Sequence, residues 1–113
     1  MTLTTKDMGD VPDVDAAAMD EVLASDAFGK FAILSASEEA FIQAGNDWQP
    51  GEVCAAFLAA HDSDPWVLEY REGGRQFRAA GHVTLEQVQH AFGSYLAGVS
   101  GWRTGFAWGE LER

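Results

Sequence analysis

The chain is poor in cysteine, in basic residues and in long apolar runs, and each shortage excludes a class of protein. Its single cysteine, Cys54, rules out an internal disulfide and lies among apolar residues, the usual setting of a buried thiol. Seven Lys and Arg against 18 Asp and Glu give a formal net charge of −11. Binding to nucleic acid is therefore disfavoured, because that affinity rests on clustered basic side chains. Attraction to an anionic membrane surface is disfavoured for the same reason.

No segment has the character of a membrane-spanning helix or of a secretory signal. A spanning helix needs about 20 consecutive apolar residues, and no apolar run approaches that length. Residues 1–15 are acidic and lack the basic and then apolar order of a signal peptide. We therefore expect a cytoplasmic protein, and 113 residues suit one domain.

The acidic residues are concentrated near the start of the chain. Residues 1–26 contain seven Asp and Glu and one Lys. Residues 1–12 are polar, acidic and without apolar periodicity, which predicts a flexible acidic leader. A single α+β domain is then predicted over residues 13–113.

The first half of that domain indicates one helix followed by strands. Residues 13–24 carry apolar side chains at helical spacing, with Asp13 or Asp15 available as the N-terminal cap. Residues 30–37 and 39–45 show partial alternation of apolar and polar side chains and predict two short strands.

The segment after these strands is ambiguous. Residues 46–52 contain Asn-Asp and Pro-Gly and predict a loop. Residues 52–61 are rich in alanine, which favours a helix, while their position between two predicted strands favours another strand. The strand is the preferred interpretation, and the helix stays open because periodicity cannot decide for so short a run.

A hairpin is predicted around Gly73 and Gly74. A two-residue turn there places Glu72 opposite Arg75, Tyr70 opposite Phe77, Glu69 opposite Arg78 and Leu68 opposite Ala79. One face then carries the apolar pairs and the other an opposite-charge pair, as expected for a half-buried antiparallel sheet.

A helix and a final strand complete the predicted domain. Thr84 and Gln87 form a capping-box pair. The apolar stripe that follows is predicted to be buried and consists of Leu85, Val88, Phe92, Tyr95, Leu96 and Val99. Residues 102–111 alternate loosely and predict a last strand. The result is an α+β fold: an antiparallel sheet of about five strands with an N-terminal and a C-terminal helix packed on one face.

Motifs for catalysis, metal binding or cofactor binding are missing from the sequence. The run His61-Asp62-Ser63-Asp64 offers ligand atoms but lies in one turn before a proline, without a second ligand cluster. No serine has the context of a strained nucleophile turn, and no glycine-rich loop suits a phosphate. We predict no catalytic residue, no metal site and no cofactor.

Tryptophan supplies the best remaining sign of a binding surface. The chain contains four tryptophans, and Trp and Arg are over-represented in the residues that dominate protein interfaces. Core packing and cation–π contacts are the competing explanation for each of them. The predicted binding residues are Asp47, Trp48, Trp102, Arg103 and Trp108.

Three segments together resemble a known group of bacterial proteins. FIQA at residues 41–44, LEYREGG at 68–74 and SYLAGVSGWRTGFAW at 94–108 resemble the immunity proteins of polymorphic toxin systems. The resemblance covers about residues 31–108 and rests on structural residues, so no residue role carries over. It implies a cytoplasmic, acidic α+β protein that binds and blocks one toxin domain, often a nuclease or a deaminase.

The leading hypothesis is therefore a non-enzymatic protein that binds a basic toxin domain, with a homodimer as a further possibility. Two alternatives stay open. A secretion chaperone would bind an extended segment at a sheet edge. A ligand-binding or enzymatic domain would need polar groups converging from Tyr70, Arg78 or His90 between the sheet and the C-terminal helix.

Overall fold

The computed structural model describes residues 1–6, 9–24 and 31–111, and within them seven strands form one antiparallel sheet. The strands are β1 (Thr2–Thr5), β2 (Gly9–Val11), β3 (Phe31–Ser37), β4 (Ala40–Asn46), β5 (Trp66–Glu72), β6 (Arg75–Ala79) and β7 (Trp108–Glu110). Across the sheet their order is β2-β1-β3-β4-β5-β6-β7. The helices are α1 (Ala16–Ala24), α2 (Glu52–His61), α3 (Leu85–Leu96) and α4 (Gly101–Thr104). The predicted α+β class is confirmed, with seven described strands in place of about five.

One face of the sheet and two helices share the hydrophobic core. Alternate residues of the central strands, among them Leu34, Ile42 and Leu68, are fully buried. They join one cluster with Met19 of α1 and Phe92 of α3, and α3 contacts both α1 and the central strands β4 and β5. Burial of this apolar surface, at about 25 cal/mol per Å², is the main force that holds the two layers together.

The predicted hairpin has the predicted register. Glu72 pairs with Arg75, Tyr70 with Phe77 and Glu69 with Arg78. Gly73 and Gly74 have φ angles of 61° and 81°, which a two-residue turn of this kind requires and which glycine adopts without steric cost. Local turn chemistry and side-chain alternation agree here, so the sequence alone was enough.

The capping predictions for the two main helices also hold. The Thr84 hydroxyl accepts from the Gln87 backbone N–H at 3.1 Å, and the Gln87 side chain accepts from the Thr84 backbone N–H at 2.8 Å. At the start of α1, Asp15 Oδ1 accepts from the Ala18 N–H at 2.7 Å. Each carboxylate, amide or hydroxyl satisfies a backbone donor that the helix leaves free.

The leader predicted over residues 1–12 is replaced by two strands at the edge of the sheet. Strand β1 pairs with β3, and β2 pairs with β1. Leu3 lies opposite Leu34 and is fully buried. Four residues with one leucine show too little alternation to indicate a strand, and the pairing partner lies far along the sequence. Residues 7 and 8 of the predicted leader lie outside the described residues.

The preference for a strand over residues 52–61 was wrong, because this segment is helix α2. Its alanines favour a helix, and most of its side chains are exposed, with Cys54 the buried one. Strands β4 and β5 still pair directly with each other. The helix is therefore part of the connection between two strands that are adjacent in the sheet, and the sheet is continuous without a strand from this segment.

The strand predicted over residues 102–111 is shorter than expected, and a short helix precedes it. Residues 101–104 form α4, and β7 covers only Trp108–Glu110. Gly98, with a φ of 76°, turns the chain after α3, so that Val99 leaves the predicted buried stripe and is 58 % exposed. Lys30, predicted to begin a strand, lies outside the described residues.

Leu3→Ala should destabilise the fold by about 2–5 kcal/mol, because it empties a fully buried site against β3. Chemical denaturation monitored by tryptophan fluorescence measures the change. Thr2→Ala, on the opposite side of the same strand, is the matched control and should have a small effect. Equal stability of the Leu3 variant and the parent would show that β1 does not contribute to the core.

Candidate functional site

All arginines that the structure describes are bonded to glutamates of the same chain. The pairs are Arg71 with Glu39 at 3.2 Å, Arg75 with Glu110 at 2.6 Å, Arg78 with Glu69 at 2.9 Å, and Arg103 with Glu72. The other basic residue within the described ranges, apart from histidine, is Lys6. The surface of this part of the chain is consequently unsuited to binding an anionic ligand.

Three of the predicted binding residues lie together in an aromatic cluster. The cluster is formed by Tyr70, Phe77, Tyr95, Trp102, Arg103, Phe106 and Trp108. The Tyr70 ring stacks on Phe77 at 4.9 Å and meets Trp102 and Trp108 edge-on at 4.8 and 4.7 Å. Edge-to-face pairs of this kind add to the energy of apolar burial.

Arg103 closes the cluster from the solvent side. Its guanidinium lies 4.9 Å from the centre of the Trp102 ring and 5.5 Å from that of Tyr70, while its backbone carbonyl accepts from Trp108 Nε1 at 2.8 Å. Trp102 is only 8 % exposed, and its backbone N–H donates to Ser94 Oγ at 3.0 Å. The cluster thus fastens α4 and β7 to the sheet, with little aromatic surface left for a partner.

Burial in this cluster also affects Tyr95. Desolvation raises the pKa of its hydroxyl above the ordinary tyrosine value, and the nearby Glu72 carboxylate adds to the rise, which Arg103 partly opposes. Tyr95 therefore stays neutral at physiological pH and does not serve as a base.

The other two predicted residues, Asp47 and Trp48, lie at the opposite end of β5 from Arg103. Asn46 pairs with Trp66, at the start of β5, whereas Arg103 contacts Glu72 at its end. The loop is held by Asp47, whose Oδ2 lies 2.8 Å from His82 Nε2 and whose N–H donates to the Pro65 carbonyl at 2.9 Å. Trp48 is 39 % exposed and is the tryptophan in this set available for contact.

A third surface lies on the helices. Between α1, α3 and α4 runs a groove of about 730 Å³. We call it the helix groove; it is lined by Asp20, Glu86, Gln89, His90, Gly93, Ser94, Val99 and Gly101. Its walls combine two carboxylates with small or apolar residues, an arrangement that suits a basic and partly apolar partner.

The charge of helices α1, α2 and α3 has one sign. Helices α1, α2 and α3 contain Asp20, Glu21, Glu52 and Glu86 and no Lys or Arg. Asp20 and Glu86 are both exposed and form no ion pair within the described part of the chain. The absence of basic residues from these segments is visible in the sequence, but the meeting of Asp20 with Glu86 requires the packing of α1 on α3.

Within residues 1–6, 9–24 and 31–111, no group of three or more His, Cys, Asp or Glu side chains is placed to hold a metal ion. Asp64 accepts from Asn46 Nδ2 at 3.0 Å and Ser63 Oγ from the Leu85 N–H at 2.9 Å, so these two residues tie the turn to its neighbours.

The space proposed for a ligand between the sheet and the C-terminal helix is filled by the core. Val88 and Phe92 of α3 pack there, both fully buried. Tyr70 belongs to that core. Arg78 bonds Glu69, which precedes Tyr70 on β5, and the side chain of Glu69 therefore points to the opposite face of the sheet. The polar groups of Tyr70 and Arg78 therefore do not converge.

Comparison with protein families, with curated proteins and with solved structures gives no match for this chain. None of the described helices is long and apolar enough to cross a membrane. The assignment of a function therefore depends on the chemistry of the three surfaces above.

Trp102→Ala should destabilise the fold by about 3–5 kcal/mol, since it removes a buried ring that contacts Tyr70, Tyr95 and Trp108. Trp48→Ala should change stability by less than about 0.5 kcal/mol, because its side chain is exposed. Thermal and chemical unfolding of the two variants measures both values. A stable Trp102 variant would contradict the structural role of the cluster.

Arg75→Ala should raise the pKa of Glu110 toward the ordinary glutamate value. The hydrogen bond and charge of Arg75 hold that pKa low. The stability that this exposed pair contributes is therefore present above the ordinary glutamate pKa, and it is lost as pH falls through the lowered pKa of Glu110. Solvent screening keeps the contribution small. Carboxyl ¹³C NMR titration measures the shift, and Arg71→Ala, whose partner is Glu39, should leave Glu110 unchanged.

Proposed function

We propose that this chain is a cytoplasmic, non-enzymatic binding protein of the immunity type, which binds a basic toxin domain and blocks its activity. The observation that carries the proposal is the separation of charge in the fold. The described arginines are neutralised by glutamates, while helices α1, α2 and α3 present carboxylates and contain no Lys or Arg. The resemblance of residues 31–108 to immunity proteins points in the same direction.

The helix groove is the proposed contact surface for the toxin domain. Asp20 and Glu86 stand on its walls, and Val99 adds an exposed apolar side chain. Basic side chains that a nuclease uses for substrate phosphates would pair with these carboxylates, and an apolar side chain would occupy the space beside Val99. Occlusion of the basic surface would then exclude the substrate.

Electrostatics would act mainly on the rate at which the complex forms. A net charge of −11 attracts a basic protein over distances of about one Debye length, roughly 8 Å at physiological ionic strength. Such steering raises the association rate more than it lowers the dissociation rate. The complex should therefore form more slowly as salt is added.

Capture of partners on the immobilised protein tests the proposal. One basic protein should be recovered from lysate of the source cell at low salt and lost at high salt. That protein should be toxic when expressed alone, and its activity should fall to background when this chain is added in equimolar amount. A captured protein whose activity is unaffected would contradict the inhibitor function, and a complex indifferent to salt would contradict the electrostatic part of the proposal.

The double variant Asp20→Asn, Glu86→Gln should slow association with the captured toxin domain by about tenfold, because it removes both groove carboxylates. Surface plasmon resonance at two salt concentrations measures the rate. The matched control is Glu38→Gln, Glu52→Gln, which changes the net charge equally at exposed residues outside the groove. Equal loss in both variants would assign the effect to net charge and exclude the groove as the site.

A further inference from the structure

The sheet has a second face, and none of the described helices packs against it in the hydrophobic core. The buried cluster takes alternate residues of each central strand, and the residues between them point the other way. On this open face lie the apolar side chains of Phe31, Ile33, Phe41 and Val67, none of which belongs to the core. Phe31 is 36 % exposed. Of these, Phe31, Ile33 and Val67 line one cavity, and contiguous apolar surface marks an interaction site more often than ordinary surface does.

A hollow lies in the middle of this face, at Gly45. Gly45 pairs with Phe31 on one side and with Val67 on the other. A Cβ atom added to Gly45 would meet no other atom within 4 Å, and a cavity of about 200 Å³ opens there, lined by Phe31, Ile33, Gln43, Val67 and Glu69. Glycine weakens a strand interior, and its presence often marks close approach by another group.

The charges on the four central strands of this face are paired with one another. Glu69 is nearly buried; its Oε1 accepts from Gln76 Nε2 at 2.6 Å and from Gln43 Nε2 at 3.2 Å, and its Oε2 accepts from Arg78 at 2.9 Å. Arg71 bonds Glu39 of the adjacent turn. The open face of the four central strands is thus electrically balanced, in a chain whose net charge is −11.

We propose that the open face is where two copies of this chain dock on each other. Phe31 is exposed at the edge of the hollow, directly beside Gly45 in the sheet, so a two-fold axis between them would place each phenylalanine over the hollow of the other copy. A two-fold interface requires this kind of self-complementary patch. Two sheets packed in this way lie about 10 Å apart with interdigitated side chains.

Charge balance selects a second copy over the basic partner proposed for the helix groove. Two chains of charge −11 repel most strongly where their acidic helices meet, and docking through the open face reduces that repulsion because the charges of its central strands are paired. A basic protein finds no unpaired carboxylate on the central strands of this face. The dimer does not depend on the proposed function, since it uses the side of the sheet away from the helix groove.

Sedimentation velocity of the native chain from about 1 µM to about 200 µM, with the dimer constant expected inside that range, tests the proposal. Added salt should tighten the dimer by screening the repulsion between the acidic chains. The effect of salt on the dimer is thus opposite to its expected effect on the toxin complex, which salt should weaken. Amide NMR shifts on dilution should be confined to β3, β4, β5 and β6.

Two variants test where the dimer interface lies. Phe31→Ser removes the projecting ring, and Gly45→Val fills the hollow while favouring the strand, since no atom obstructs the new side chain. Each should raise the dimer dissociation constant by about tenfold or more, with Gly45→Val unfolding at or above the parent temperature. The control Val53→Ser removes an exposed apolar side chain from α2 and should leave the dimer unchanged.

A chain that stays monomeric over the whole concentration range at high salt would overturn the proposal and leave the open face to a different protein. A dimer that tolerates both Phe31→Ser and Gly45→Val would overturn it as well, because its interface would lie elsewhere. Failure of this test leaves the toxin-binding proposal untouched, since that is measured by capture and inhibition at the helix groove.

Discussion

The burial of one face of the sheet against α1 and α3 is the constraint on which the rest of this structure depends. Leu34, Ile42 and Leu68 point into that contact and are fully buried. Because side chains alternate along a strand, every residue buried on one side places its neighbour on the other. The core therefore dictates which residues form the open face, and the packing of α1 on α3 brings Asp20 and Glu86 to the two walls of one groove.

Charge pairing gives the two sides of the molecule different properties. Exposed Arg–Glu pairs contribute little to stability, yet here they neutralise the described arginines on β5, β6 and α4. The helices carry carboxylates without such compensation. One side is thus suited to a partner of opposite charge and the other to a copy of the same chain.

The elements that could be predicted are those specified by contacts between near neighbours in sequence. The turn at Gly73 and Gly74 determines the pairing of β5 with β6, and the Thr84–Gln87 capping box marks the start of α3. Strand β1 was missed because its stability comes from pairing with β3, far along the chain. The assignment of α2 was wrong because its position between two predicted strands favoured another strand, although β4 and β5 pair directly.

The sequence by itself determined the acidic charge, the hairpin register, the capped helix and the α+β class, since each follows from composition or from residues close together in the chain. Only the tertiary structure decided which predicted binding residues meet. It gathers Trp102, Arg103 and Trp108 around Tyr70 in a cluster that fastens α4 and β7, and places Asp47 and Trp48 at the other end of β5. The physical reason is that strand pairing and helix packing join residues distant in sequence, and no local pattern encodes which of those distant residues become neighbours.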